Sequence, residues 1–598
     1  MLYSRLTQGR LFVATRRGVG LVLTILLLAV LISVAGMVVL LLVVGREPVV
    51  ASNSVLALRV EGDLADATSD SVFDSLMSTR RIGVRTIVEN LRKAKADSRI
   101  SVVVVTPANL TSAYWARLQE VRDAIIDFRK SGKKAVAHLE YGGDREYFIA
   151  TGCDRVFLLP TSPLDLSGLA TYALFLRGTL DKIGAYPDFF HIGDYKTAPN
   201  QLTEKTFTPA HREMTESINN DLFEQLVQAV AEGRKKTVAD VRQLVDQGPF
   251  LPEEALRLGF VDDLAYEDQV GAKVQPRDKG VSRIKGEDYA RVSAGSVGLG
   301  GGSRIAVINA VGLINSGRSG FDPLNGAVAG SDTLVEYIRK ARNDRSIKAI
   351  VLHVDSPGGS TIASDVIWRE LMLTRTGPNA RPLVASMSDL AASGGYYIAM
   401  AAPDIVAEPG TLTGSIGIYG GKIVTGGTYE KLGMSVEAVS VGKHAEMNSP
   451  VRPYGDADRA KMEEQLRAFY DQFVEKAAAS RHMKPEALDA IAQGRVWTGR
   501  QAKNLGLVDV LGGLDRAVAL AKERAKIPAQ ESVELVVYPP KRSLYELLSA
   551  SLSGMDQRAE LAALLGVRDR RAMAALTAPL RLFRRGELLA LMPIGYVR

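Results

Sequence analysis

Apolar positions along this chain fall into three patterns. From residue 18 to residue 45 there are 28 residues without a charged side chain, more than the roughly 20 a helix needs to cross a bilayer. The apolar part of a cleaved signal peptide normally spans only about 7–15 residues, so an uncleaved anchor is expected. Arg5, Arg10, Arg16 and Arg17 precede it, which by the positive-inside tendency leaves the N-terminus cytoplasmic and sends the rest across the membrane. Beyond the anchor, short β-branched runs alternate with stretches of helical periodicity. Residues 349–354, 383–386 and 405–407 read as buried strands, and 361–374 and 391–402 as helices. Longer helices are expected at 210–232 and 456–480. The alternation predicts an α/β layout of parallel strands joined by crossover helices.

The same pattern occurs twice. Leu258-Gly259-Phe260-Val261-Asp262 returns as Leu505-Gly506-Leu507-Val508-Asp509, and Val88-Glu89-Asn90-Leu91-Arg92-Lys93-Ala94 as Val335-Glu336-Tyr337-Ile338-Arg339-Lys340-Ala341. Between these marks Tyr147-Phe148-Ile149-Ala150 matches Tyr396-Tyr397-Ile398-Ala399, Pro160 matches Pro409, Gly168 matches Gly417 and Gly193 matches Gly442. An offset that drifts by only a few residues over this distance marks a duplicated unit. The glycine-rich stretch 293–303 between the copies reads as a connector, since no Lys-Ser/Thr follows in the frame a phosphate loop requires.

Composition narrows the function. The chain has 598 residues and a formal charge of +7, too small an excess over this length to point to a nucleic-acid partner. Its one cysteine, Cys153, excludes a disulfide framework and reads as a buried, inert thiol. The C-terminal tail interleaves Arg568, Arg570, Arg571, Arg581, Arg584 and Arg585 with Leu580, Leu582 and Phe583. It reads either as a basic amphipathic helix at a membrane surface or as a solvated helix packed on the second copy.

Candidate chemistry lies in three glycine-punctuated segments of the second copy. They are Asp355-Ser356-Pro357-Gly358-Gly359, Ala391-Ala392-Ser393-Gly394-Gly395-Tyr396 and Thr413-Gly414-Ser415-Ile416-Gly417. A serine at a helix start is either a nucleophile beside free amides or an ordinary N-cap. Pro357-Gly358-Gly359 is either a turn or a source of N–H groups for an oxyanion. Comparing the copies breaks the tie. At the Ser393 position the first copy has Asp144, followed by Arg145-Glu146, and in place of Pro357-Gly358-Gly359 it has Pro107-Ala108-Asn109. Conversely, Lys196 in Gly193-Asp194-Tyr195-Lys196-Thr197 corresponds to Ala445. Each copy lacks what the other carries. Without this comparison Lys196 would read as a surface ion pair with Asp194. Of the six histidines only His353 and His444 lie near these segments, and no Gly-x-Ser-x-Gly elbow surrounds Ser393. No His-Glu-x-x-His or Cys/His cluster suggests a metal.

Together these residues resemble the long, duplicated form of the signal peptide peptidase A family, with its Clp-protease/crotonase-like fold. The resemblance implies tandem ββα-superhelix domains after one transmembrane helix. It divides the chain into a cytoplasmic start at 1–17, the anchor at 18–45, repeats at 52–292 and 304–540 joined by the linker 293–303, and a tail at 541–598. It implies a serine endopeptidase with Ser393 as nucleophile and Lys196 as general base, Gly358 or Gly359 as oxyanion donor, and Ser415 orienting the lysine, without cofactor or metal. A neutral amine is required, so Lys196 must be desolvated. The implied substrates are remnant signal peptides and the implied setting is a single-pass inner-membrane protein, its catalytic part periplasmic or extracytoplasmic, assembled as a homotetramer. Two rivals predict otherwise: an acyl-CoA enzyme needs neither Ser393 nor Lys196, and a non-catalytic scaffold predicts a decayed site.

Overall fold

The computed structural model describes residues 47–65, 83–111, 114–274, 282–322, 326–540, 589–592 and 596–597, with the helical residues 27–28 and 31–32. Most of the expected anchor at 18–45 and of the tail at 541–598 lies outside the described residues. Among those described, no helix is long and apolar enough to cross a membrane.

Two sheets share one strand order. The first runs Arg283–Lys285, Ser54–Gly62, Ile100–Leu110, Lys134–Leu139, Arg155–Leu158, Asp263–Leu264, all parallel. In the second, six strands repeat that order, Val533–Tyr538, Ser303–Val311, Ile347–Ser356, Leu383–Ala392, Asp404–Ala407, Val510–Leu511, again all parallel; Leu412–Gly414 also pairs with Leu383–Ala392, and Val496–Thr498 joins it antiparallel. Parallel strands are covered on both faces by their crossover helices, which is why their sequences are nearly continuous apolar runs. The helix Val84–Ala96 buries Ile87, Val88, Leu91 and Ala94, and Ser331–Asn343 buries Leu334, Val335, Ile338 and Ala341. In both helices these positions are spaced i, i+1, i+4, i+7, which share one helical face.

The repeated Leu-Gly-x-Val-Asp motif has a structural job. In the first half Asp262 accepts from Val156 N–H at 2.7 Å and from both terminal nitrogens of Arg234, whose Nε donates to Gly259 C=O. In the second, Asp509 accepts from Ile405 N–H at 2.8 Å and from Arg481, whose Nε donates to Gly506 C=O. Arg234 and Arg481 end the long helices Pro209–Arg234 and Asp456–Arg481. Each motif therefore ties the end of a long helix to an inner strand of its sheet.

A third sheet joins the halves. Its order is Gly320–Asp322, Gly326–Gly330, Leu313–Asn315, Gly358–Ser360, Leu589–Leu591, Ile418–Val424, Tyr186–Ile192. Tyr186–Ile192 of the first half pairs antiparallel with Ile418–Val424 of the second along its whole length, bringing the loop after Ile192 against the second half. One expectation needs correction. The helix expected at 391–402 covers only Gly394–Ala399, because Ala391 and Ala392 continue the strand Leu383–Ala392 and pair with Thr413 and Gly414. Alanine accepts either conformation, and the ladder decides here.

The Asp509 tie carries a stability prediction. Asp509→Ala removes the acceptor of buried Arg481 and is expected to destabilise the chain by about 2–3 kcal/mol, read as a lowered denaturation midpoint with unchanged slope.

Candidate active site

The strand Leu383–Ala392 delivers Ser393 to the start of the helix Gly394–Ala399 at φ 56° and ψ −114°, a conformation costly for a non-glycine residue. It is held by Ser393 N–H donating to Gly414 C=O at 2.8 Å and by Tyr397 N–H donating to Ser393 C=O at 2.8 Å. Ser393 stands at the N-cap position, yet its side chain makes no capping bond. Its hydroxyl instead meets Lys196 Nζ at 2.8 Å. Both side chains are buried.

Lys196 Nζ also lies 3.0 Å from Ser415 C=O and 3.0 Å from Ser415 Oγ. The carbonyl can only accept, so Ser415 fixes N–H bonds of the amine and directs its remaining valence at Ser393. Burial holds the amine well below the usual lysine range, because removing water disfavours the charged form. The surface pairing of Lys196 with Asp194 is not what the structure holds.

Sequence reading missed the segment that builds the lysine's slot. Gln493 C=O accepts from Tyr195 N–H at 2.9 Å, Gly494 N–H donates to Ile416 C=O at 2.8 Å, and Arg495 C=O accepts from Ser415 N–H at 2.7 Å. Residues 493–495 thus stitch the lysine loop to the Ser415 loop. Gly494 has φ +76°, and a Cβ there would lie 2.5 Å from Lys196 Cβ. Only glycine lets the two backbones approach so closely.

Gly358, at φ 106°, begins the strand Gly358–Ser360. Ser356 Oγ donates to Gly312 C=O at 2.6 Å and accepts from Gly358 N–H at 3.2 Å, so this serine shapes the turn. A Cβ on Gly394 would come within 3.1 Å of Gly359 N and Gly358 Cα. The first amide of the helix Gly394–Ala399, which has no intrahelical acceptor, therefore converges with the glycine strand beside Ser393. Gly394 is a second residue the sequence reading did not single out.

Arg117 is a third. It projects from the first half's helix Ala116–Arg129 between two strands of the second half. Its guanidinium contacts Asp355 and lies 3.3 Å from Asp389 Oδ2, while its N–H donates to Asp389 Oδ1 at 3.0 Å. Asp355 in turn accepts from Leu390 N–H at 3.2 Å. Asp355 lies near the end of the strand that leads into Gly358–Ser360, and Asp389 near the end of the strand that delivers Ser393, so one arginine ties the two approaches together.

The matching place in the first half is closed. Glu146 accepts from Leu110 N–H at 2.8 Å at the place of the glycine strand. Asp144 replaces the serine, its carboxyl pushed up to about 7 by burial and then by the charge of Asp165. His353 bonds Ser386 and His444 pairs with Asp458. Burial pushes the Cys153 thiol up to about 12. Among the described residues no cluster of three or more His, Cys, Asp or Glu could hold a metal.

Two substitutions test this geometry through the reactivity of Ser393 toward a fluorophosphonate. Gly494→Ala is expected to slow labelling at least about a hundredfold, since a shift near 1 Å at a reacting group has that effect. Arg117→Met, which leaves Lys196 untouched, is expected to slow labelling about tenfold without moving its pH dependence; a displaced pH profile would mean that Arg117 acts through the lysine.

Comparison with known proteins gives the family. The sequence signature of peptidase family S49 matches residues 127–282 and 378–528, one stretch in each half. "Serine protease SPPA, chloroplastic" of Arabidopsis thaliana is 36% identical over 519 residues, 85% of this chain and 75% of its own length. "Protease 4" of Salmonella typhi is 34% identical over 78% of this chain and 76% of its own. "Putative signal peptide peptidase SppA" of Enterococcus faecium is 32% identical over 33% of this chain and 57% of its own. With the signature in both halves and relatives matched over most of its length, the chain is a serine protease of peptidase family S49.

Proposed function

We propose that this protease works through a Ser393/Lys196 dyad on remnant signal peptides at the extracytoplasmic face of the inner membrane. The observation that carries the proposal is the 2.8 Å contact between Lys196 Nζ and Ser393 Oγ inside a buried site. Neutral Lys196 takes the Ser393 proton as Oγ attacks the scissile carbonyl. The amide of Gly394 stabilises the oxyanion together with that of Gly359, or with that of Gly358 once it leaves Ser356 Oγ. Lys196 then returns the proton to the departing amine and activates the water that hydrolyses the acyl-enzyme. Ser415 keeps the amine aimed throughout.

The same reading makes the paired sheets Clp-protease/crotonase-like repeats behind an anchor at 18–45. The substrate class rests on the apolar walls near the dyad, among them Leu313, Tyr419, Leu412 and Val496, and on the name of the Enterococcus relative. Homo-oligomerisation has support in the duplication, while the number four is what the family resemblance implies. The second-half counterpart of strand Tyr186–Ile192 is residues 435–441, which form no strand and leave Val439 and Val441 at 102% and 95% exposure. The first-half counterpart of Ile418–Val424 is 169–175, where Tyr172 and Leu174 are exposed. Within one chain the equivalent segments pair; between chains 435–441 would pair with 169–175 of the next copy, a head-to-tail contact that generates a ring.

The dyad makes a joint prediction about activity, pH and stability. Ser393→Ala and Lys196→Met are each expected to abolish hydrolysis of an apolar fluorogenic peptide while the fold persists. In the parent, kcat/KM should rise with pH through one ionisation lying well below the usual lysine value of 10.5. Because the folded-state pKa is depressed, the unfolded chain binds the extra proton between that ionisation and the ordinary lysine range, and stability grows with pH across this window. Lys196→Met removes this dependence and should be more stable than the parent at the acid end of the window. Turnover surviving in Ser393→Ala, or rising only near the ordinary lysine range, contradicts the dyad.

A further inference from the structure

Residues 493–495 reach the lysine loop with a side chain as well as with backbone. The Arg495 guanidinium lies over two aromatic rings, 4.5 Å from the centroid of Tyr195 and 4.5 Å from that of Trp497. A planar guanidinium stacks on such faces, which a compact ammonium does not. Arg495 Nη1 donates to Glu213 Oε1 at 2.7 Å, and the Tyr195 hydroxyl donates to Glu213 Oε2 at 2.9 Å. One carboxylate therefore closes a ring through the guanidinium and the phenol. Tyr195 and Glu213 come from the first half, Arg495 and Trp497 from the second, so the ring is a clasp between the two.

The clasp sits where the amine depends on it. Tyr195 immediately precedes Lys196, and Arg495 C=O accepts from Ser415 N–H at 2.7 Å. Arg495 thus holds the loop of Lys196 with its side chain and the loop of Ser415 with its backbone. Lys196 Nζ meets only Ser393 and Ser415, and the nearest carboxylate in sequence, Asp194, belongs to an exposed residue. Exclusion of water is what keeps such an amine neutral. The unused site of the first half has no clasp. There Leu164 bridges Phe250 as Thr413 pairs with Trp497 in the second half. Two residues before Phe250, in the place of Arg495, stands Gly248.

We infer that Arg495 is a positioning residue for Lys196: stacked on Tyr195 and Trp497 and closed by Glu213, it holds the lysine loop shut against the second half and keeps water from the amine. The inference rests on the dyad reading, since it takes Lys196 as the base. An exposed arginine–glutamate pair contributes little to stability by itself. Its effect here is local, on the loop it closes. With the clasp open, water reaches Nζ, the ammonium is favoured, and the base is lost to protonation at a pH where the parent still has it.

The test uses full detergent-solubilised chains carrying Arg495→Lys or Glu213→Ala, with an apolar fluorogenic peptide. Both variants are expected to move the ionisation that governs kcat/KM up by about one pH unit. On the acid side of it kcat/KM then falls about tenfold, through kcat at unchanged KM, and in alkali it returns to the parent's level. The pair of variants separates the clasp from its charges. Arg495→Lys keeps the cation, and loss of the Glu213 carboxylate would by its charge alone move the amine's ionisation down, so an upward shift in both reports an opened loop. An ionisation that stays in place or moves down, or a loss equal at every pH, overturns the inference. Glu213 is 57% exposed on the helix Pro209–Arg234 and alanine suits a helix, so Glu213→Ala carries the test should Arg495→Lys lose its thermal transition. Lys196→Met separates the two ideas. If it is inactive while the clasp variants keep the parent's profile, the clasp falls and the dyad stands. If it retains turnover the dyad falls, and the clasp is read from stability, as the difference between each chain and its Lys196→Met counterpart across pH. That difference is expected to begin its rise about one unit higher in the clasp variants than in the parent, and an unchanged onset overturns the inference.

Discussion

An amine held out of water without a carboxylate partner is the constraint on which this molecule is built. Lys196 Nζ is bonded to two serines and buried. Desolvating an ammonium costs several kcal/mol even after relaxation, so the group stays neutral and its lone pair becomes the useful feature. Such a slot cannot be lined loosely. The backbone of residues 493–495, the close approach at Gly494 and the antiparallel pairing of Tyr186–Ile192 with Ile418–Val424 all act on the path that leads the lysine inward. The site is expensive to assemble and its parts come from distant sequence.

Duplication supplied the means. Two copies of one sheet, with the same strand order, offer two equivalent sites, and only one is kept open. In the first half a carboxylate from Glu146 caps the strand that corresponds to Gly358–Ser360, and Asp144 occupies the nucleophile position. That half contributes two basic side chains to its neighbour. Lys196 enters the site itself, and Arg117 holds the strands that carry Gly358 and Ser393 through Asp355 and Asp389. The buried arginine is paired with carboxylates and stays charged, whereas the buried lysine meets only serines and stays neutral.

The sequence disclosed the parts of this plan that repeat. The offset between copies exposed the two sheets, and the mismatches within it pointed to Ser393 and Lys196 where a single copy left N-cap and surface-pair readings open. What it hid has a common cause. The loop 493–495, the clamp at Arg117 and the first amide at Gly394 act through backbone groups or long-range contacts, which leave no periodicity and no distinctive residue type. The end of the helix expected at 391–402 was misplaced because alanines are neutral between strand and helix, and the choice is made by pairing with Thr413 and Gly414. Strands of three residues, such as Gly358–Ser360 and Leu589–Leu591, are too short for an alternation to register.

The third sheet sets the last constraint. Gly358–Ser360 and Ile418–Val424 lie on either side of Leu589–Leu591, and Tyr186–Ile192 pairs with the other edge of Ile418–Val424. Strand edges left unpaired and apolar are surfaces on which chains aggregate, so a sheet assembled from both halves and the C-terminal segment closes edges that neither repeat closes alone. The same pairing holds the loop after Ile192, which carries Lys196, against the loop before Ile418, which carries Ser415. Covering the edge and bringing Lys196 to Ser393 are therefore one structural act.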